Sequence, residues 1–92
     1  MKKTNRIELS DKLAIVDYFR PDGSLQRSSL LWKYSDGWHE IYQTRRNRSM
    51  IDDLRDGSVY DELNSTSAPY LTLYGRGFGD LIRSVVEESG IL

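Results

Sequence analysis

Between residues 12 and 44, two glycine turns, Arg20-Pro21-Asp22-Gly23 and Asp36-Gly37, separate three runs of β-branched and aromatic residues. Few arrangements other than antiparallel hairpins accommodate that pattern. Proline presets φ for the second turn position and glycine accepts the left-handed conformation that follows, so the chain reverses at both places. The three strands expected are Lys12 to Phe19, Leu25 to Tyr34 and Trp38 to Thr44. Counting outward from a two-residue Asp36-Gly37 turn sets Ser35 opposite Trp38, Tyr34 opposite His39, Lys33 opposite Glu40 and Trp32 opposite Ile41. Counting from Pro21-Asp22-Gly23 sets Asp17 opposite Arg27. Both registers bring opposite charges together, as a stable ladder requires.

Alternation then places Leu30, Trp32, Tyr34, His39 and Ile41 on one face, with Ala14, Val16 and Tyr18. The other face holds Leu13, Ile15, Phe19, Leu31, Trp38 and Tyr42 among Lys33 and Glu40. Neither face is clean, and an antiparallel sheet with one wetted side alternates more strictly than this. Helices must cover both faces, or an apolar patch awaits a partner or a second copy of the chain.

Residues 1–11 are polar and are expected to dock loosely. Ser49-Met50-Ile51-Asp52 has the form of a capping box and starts a helix carrying Met50, Ile51 and Leu54 on one side, to Gly57. Ser58-Val59-Tyr60-Asp61 repeats the start signal and leads to Leu63, as a second helix or a continuation of the first. After a loop from Asn64 to Pro69, Tyr70 to Tyr74 reads as a short fourth strand. Asp80 is placed to cap a last helix that turns Leu81, Ile82, Val85 and Val86 to the core and stops at Gly90. The fold expected is a single α+β domain over residues 1–92: a three-stranded antiparallel meander in β-β-β-α-β-α order, with helices packed on the sheet.

The chain has no cysteine and one histidine, which leaves out a disulfide framework, a thiolate metal site and a cysteine nucleophile, and argues for a reducing, cytoplasmic setting. The basic start is not followed by an apolar stretch, and no run approaches the ~20 apolar residues of a membrane span, so neither export nor a membrane partner is expected. Net charge is −1 but unevenly spread. Residues 1–48 hold ten Lys/Arg against six Asp/Glu, and residues 49–92 hold three Arg against eight Asp/Glu. The halves either attract each other inside one fold or offer two partner faces of opposite sign.

Catalytic sets are hard to find. Asp52, Asp53 and Asp56 lack the alternating oxygen pattern of a calcium loop, and at a helix start they read as solvated acids favoured by the helix dipole; no metal site is expected. His39 is the one ready general base, and beside Tyr34 it reads as a packed, hydrogen-bonded residue. A ribonuclease built from His39, Glu40 and nearby arginines has the right chemistry without a supporting spacing. No serine lies in a nucleophile elbow.

Arg76-Gly77-Phe78-Gly79, followed by Leu81-Ile82 and ending Glu87-Glu88-Ser89-Gly90-Ile91, resembles the pyrophosphate loop and helix of the GNAT acetyltransferases over residues Leu71 to Leu92. The resemblance implies backbone N–H groups aimed at the pyrophosphate of acetyl-CoA. Two departures stand against it: the family continues with a strand and helix that complete the cofactor cleft, and an acid, Asp80, lies where the phosphates would sit. No cofactor is expected.

The residues singled out for partner binding are Trp38 and Tyr42 as aromatic anchors, Arg45, Arg46 and Arg48 as a basic segment, and Asp52, Asp53 and Asp56 within an acidic stretch reaching Glu62. They suit a small non-catalytic protein that regulates or inhibits another protein or protein complex, of the kind frequent among phage and mobile-element products. The alternative is a nucleic-acid-binding accessory protein using Arg45 to Arg48, arginines beside aromatic rings being what a single strand requires. Homodimerisation through the apolar sheet face is a further expectation.

Overall fold

The computed structural model describes residues 3–65 and 77–92. Four strands, β1 (Thr4–Glu8), β2 (Leu13–Phe19), β3 (Leu25–Tyr34) and β4 (Gly37–Gln43), form an antiparallel meander in the order β1-β2-β3-β4. Three helices follow: α1 (Met50–Asp56), α2 (Ser58–Ser65) and α3 (Phe78–Ser89). The α+β class stands, with one strand more in the meander than expected. That strand is β1, in the segment expected to dock loosely. Its only apolar residue is Ile7, and the alternate positions Thr4, Arg6 and Glu8 are exposed. An edge strand is guarded by such charges, which also hide it from a hydrophobic pattern. The strand expected at Tyr70 to Tyr74 lies outside the described residues.

Both turns form, and both registers differ from simple counting. In the first hairpin Phe19 pairs with Leu25, as the turn dictates, but a bulge follows and Tyr18 pairs with Arg27 and Asp17 with Ser28. Gln26 is the extra residue, and its carbonyl accepts the Asn47 N–H at 2.8 Å from the connector after β4. One inserted residue reverses every side chain beyond it. Leu13 and Ile15 therefore join Leu30 and Trp32 on the core face, while Ala14, Val16 and Tyr18 go to the other, the reverse of the expectation for β2.

In the second hairpin Ser35 and Asp36 make the tip and Tyr34 pairs with Gly37, so Lys33 faces Trp38 and Trp32 faces His39. Among the described non-glycine residues only Asn47 has positive φ; Asp36 is therefore not left-handed, and Gly37 alone, at φ 125°, takes the unusual conformation. The two-residue slip leaves the faces unchanged. Beyond it a bulge leaves Ile41 as the extra residue between the Leu31–Glu40 and Leu30–Tyr42 pairs. Ile41 and Tyr42 consequently both reach the core side, whereas strict alternation puts Tyr42 on the far face.

The helices cover one face of this sheet. Leu13, Ile15, Leu30, Trp32 and Ile41 pack with Met50, Leu54, Val59, Tyr60, Leu63, Phe78, Ile82 and Val86. The Phe78 ring meets Trp32 edge-on at 5.8 Å. Ser49 caps α1 by accepting from the Asp52 N–H, and left-handed Gly57 ends it. The Asp56 carboxylate then accepts the Ser58 N–H at 3.0 Å, so the two short helices are separate but jointed. α3 begins two residues before the expected cap, with Val85 half-buried and Leu81 at 37% exposure. Gly79 allows it to cross α2 closely: a Cβ there would lie 2.1 Å from the Tyr60 carbonyl oxygen.

Candidate functional site

The residues picked out from the sequence divide into three groups. Tyr42, Arg48, Asp53 and Asp56 form one internal network. The Tyr42 hydroxyl donates to Asp53 Oδ2 at 2.8 Å, and Arg48 bridges Asp53 through Nε and Asp56 through Nη2. The Asp53 side chain is only 5% exposed, so it is not the solvated acid its position near a helix start implied. Desolvation first, then the bond to Asp53, pushes the Tyr42 phenol up. Asp56 is held below the usual carboxylate range by its bonds from Ser58, with Arg48 assisting. These four side chains fasten α1 to β4, and Arg48 is withdrawn from the basic segment. Asp52 stays exposed on the first turn of α1.

Trp38 lies on the sheet face opposite the helices. It belongs to β4, yet its ring sits 4.6 Å from the guanidinium carbon of Arg6, which belongs to β1 at the other edge. Strands lie ~4.8 Å apart, so the indole and Arg6 must lean toward each other across β2 and β3. Lys33 Nζ approaches the same ring at 6.0 Å. Ala14, the small residue on this face of β2, is fully buried although no helix covers it. Leu31, Val16 and Tyr18 on the same face are half-buried. Arg27 lies over the Tyr18 ring at 5.3 Å, and Glu40 accepts from the buried Ser29 hydroxyl. Long side chains of the sheet itself thus supply the cover that the apolar residues require.

Arg45 and Arg46 form the third group. Arg48 N–H donates to the Arg45 carbonyl at 3.2 Å, and left-handed Asn47 (φ 68°) closes a turn that projects Arg45 and Arg46 outward while Arg48 points in. Arg20 stabilises this turn by donating to Asn47 Oδ1 at 2.5 Å and to the Leu25 carbonyl at 2.7 Å. Arg46 shares a cleft of about 170 Å³ with Gln26, Arg27, Gln43 and Thr44. Arg20 and Arg27 were not picked out from the sequence. Their signal was present, since both flank the first turn, but only the connector's return to that turn unites them with Arg46.

The ribonuclease arrangement is divided by the sheet. His39 Nε2 meets Asp36 Oδ1 at 2.7 Å, and the ring rests edge-on against Tyr34 at 5.1 Å on the helix side, half-exposed rather than packed in the core. Glu40 is on the opposite face. The His39 bond holds the Asp36 carboxyl below its ordinary value.

Of the stretch Arg76-Gly77-Phe78-Gly79 that resembles the GNAT pyrophosphate loop, Arg76 lies outside the described residues, while Phe78 and Gly79 belong to the first turn of α3 and are buried. At the described start of α3, the Asp80 N–H donates to Asn64 Oδ1 at 3.3 Å, and Asn64 Nδ2 donates back to Asp80 Oδ1 at 3.2 Å. A side chain of α2 therefore already engages an amide that a phosphate would use.

The charge asymmetry becomes an asymmetry of layers. The described helical segments carry eight acids against Arg55 and Arg83, and the described residues up to 48 carry nine Lys/Arg against six acids. Among the described residues Arg48 is the one Lys or Arg of the first half in a salt bridge with acids of the second. The remaining charges face outward. No described helix is long and apolar enough to cross a membrane, and no described group of His, Asp and Glu could hold a metal ion. Comparison with protein-family models, curated proteins and solved structures finds no match to this chain.

Proposed function

We propose that this chain is a non-catalytic binding protein that regulates or inhibits a protein partner, which it engages through the sheet face opposite its helices. The observation that carries the reading is the Trp38 indole lying across that face between Arg6 and Lys33. An aromatic ring on a face that none of the described helices covers, flanked by two cations, suits a partner whose apolar centre is bordered by carboxylates. Arg6 and Lys33 can swing away at little cost because both are exposed, and the partner then covers the ring they shielded. A regulatory role is read from what the face offers, an aromatic anchor flanked by cations.

Capture from a native lysate with wild-type and Trp38→Ala chains, followed by affinity measurement on the recovered protein, tests this. Loss of a central aromatic anchor should weaken binding by about 2 kcal/mol, roughly thirtyfold. Arg6→Gln should make the binding that remains less salt-sensitive than that of wild type. Equal binding by Trp38→Ala, with its fold intact by thermal melt, overturns the reading. A dimer in light scattering that Trp38→Ala dissociates would replace the foreign partner with a second copy.

A further inference from the structure

The basic end of the sheet is remote from Trp38. Trp38 pairs with Lys33, and Arg27 is six residues back along the same strand, ~20 Å away. There Arg27 is held in one orientation. Its guanidinium rests on the Tyr18 ring, and with the Gln43 amide oriented so that its oxygen faces Arg27, that oxygen accepts from Nη1 at 2.9 Å and Nε at 2.8 Å. An exposed arginine normally samples many rotamers and loses that freedom on binding. This one is pre-oriented, with one face of its plane and its Nη2 edge turned from these partners.

Arg46 lines the same cleft, and Arg45 is its neighbour on the turn that Arg20 and Asn47 secure. Both are exposed, and neither has an ion pair among the described residues. The acids nearest this end each accept from a serine hydroxyl: Asp17 from Ser28 Oγ at 2.5 Å, Asp22 from Ser24 Oγ at 2.6 Å, and Glu40 from Ser29 Oγ. Arg27 and Arg46 thus line one cleft, with Arg45 next in the chain, and none of the three has a salt bridge among the described residues. Such a cluster recognises phosphate oxygens, and a fixed guanidinium plane is also a surface on which a base stacks. Among the described residues no helix or ribbon protrudes from this end of the sheet to enter a duplex groove, so the strand it accepts is single.

We propose that the end of the sheet where Arg27, Arg45 and Arg46 lie binds the phosphate backbone of a single-stranded nucleic acid, with the Arg27 guanidinium as the stacking plane. This goes beyond the Trp38 face and is independent of it. Fluorescence anisotropy of the full chain with a labelled single strand of about 12 nucleotides tests the site. Three phosphate contacts give a slope of about −2 in log affinity against log salt, so binding weakens about sixtyfold between ~25 and ~200 mM salt. Arg45→Gln and Arg46→Gln should each flatten the slope by about 0.7 and lower affinity about tenfold at the lowest salt. Arg27→Lys should keep the slope yet lower affinity, because it keeps the charge and loses the plane. Trp38→Ala should leave all of these unchanged, which separates this proposal from the protein-docking one.

Absence of binding at the lowest salt overturns the proposal. So does an equal loss with Arg55→Gln on α1, which would mean diffuse attraction. Competition by polyglutamate as effective as unlabelled strand at equal charge also overturns it, assigning the cluster to an acidic protein.

Discussion

Replacing Asp53 by alanine removes the carboxylate on which β4, the connector and α1 converge. Its side chain is 5% exposed, and it accepts from the Tyr42 hydroxyl at 2.8 Å and from Arg48 Nε. A hydrogen bond to a buried charge contributes about 2 kcal/mol. The Arg48 side chain is 33% exposed and keeps Asp56 as a partner, so water screens its loss and that contribution is nearer about 1 kcal/mol. The total, about 3 kcal/mol, is a large fraction of the stability of a domain this size. In urea, with a slope of about 1 kcal/mol per molar, the midpoint should fall by 2 to 3 M, or roughly that. Asp52→Ala, one residue away and exposed, should cost about 0.5 kcal/mol through the helix dipole. Tyr42→Phe should cost about 2 kcal/mol and lose most of that effect in the Asp53→Ala background. If Asp53→Ala and Asp52→Ala shift the midpoint equally, the network contributes nothing, and Tyr42, Arg48 and Asp53 return to the list of partner-binding residues.

Gly79→Ala should lower the thermal midpoint by about 10 °C or more, because its Cβ meets the Tyr60 carbonyl and α3 must move off α2 at a cost of about 2 kcal/mol. Arg6→Gln should expose Trp38 to acrylamide quenching while leaving the emission of buried Trp32 unchanged, and should cost about 0.5 kcal/mol. At alkaline pH, Tyr42 and Tyr60 contribute a fall in stability. Burial leads in raising both phenols, so the unfolded chain ionises first; their contribution is intact below the unfolded value of 10.0 and is lost as pH rises through the folded values. Urea melts across that range should show a shallower decline for Tyr42→Phe.

The hairpins were legible because glycine and proline punctuate them, and the caps of α1 were legible because Ser49 and Gly57 act through their own local backbone. The bulges were not. Gln26 becomes the extra residue only because its carbonyl meets the Asn47 amide, a partner twenty-one positions along the chain, and nothing local marks it. That one residue decided which side of β2 is core. β1 was illegible for the opposite reason: its composition is that of a solvated tail, and pairing with β2 alone makes it a strand. Of the candidate site, Trp38 stayed half-buried on the face away from the helices, whereas Arg48 and Asp53 found each other through a turn whose direction depends on left-handed Asn47. Charges that look alike in sequence separated into structural and outward-facing ones on that detail.

One architectural fact underlies both proposed surfaces. With the three described helices on one side, the other side of the sheet is left to its own side chains among the described residues. Short apolar residues cannot cover one another on a pleated plane. Long cationic ones can, because their stems lie along apolar surface while their heads stay in water. Arg6, Lys33 and Arg27 therefore lie above Trp38 and Tyr18. Carboxylates have shorter stems: eight of the fourteen described lie on the helices, and Glu40, on this face, accepts from the Ser29 hydroxyl. A cation-roofed aromatic floor is stable alone, yet each roof residue can rotate aside without opening a strand. The cover of this face and its proposed binding capacity then have the same cause, and a substitution that shortens a roof residue should change both together.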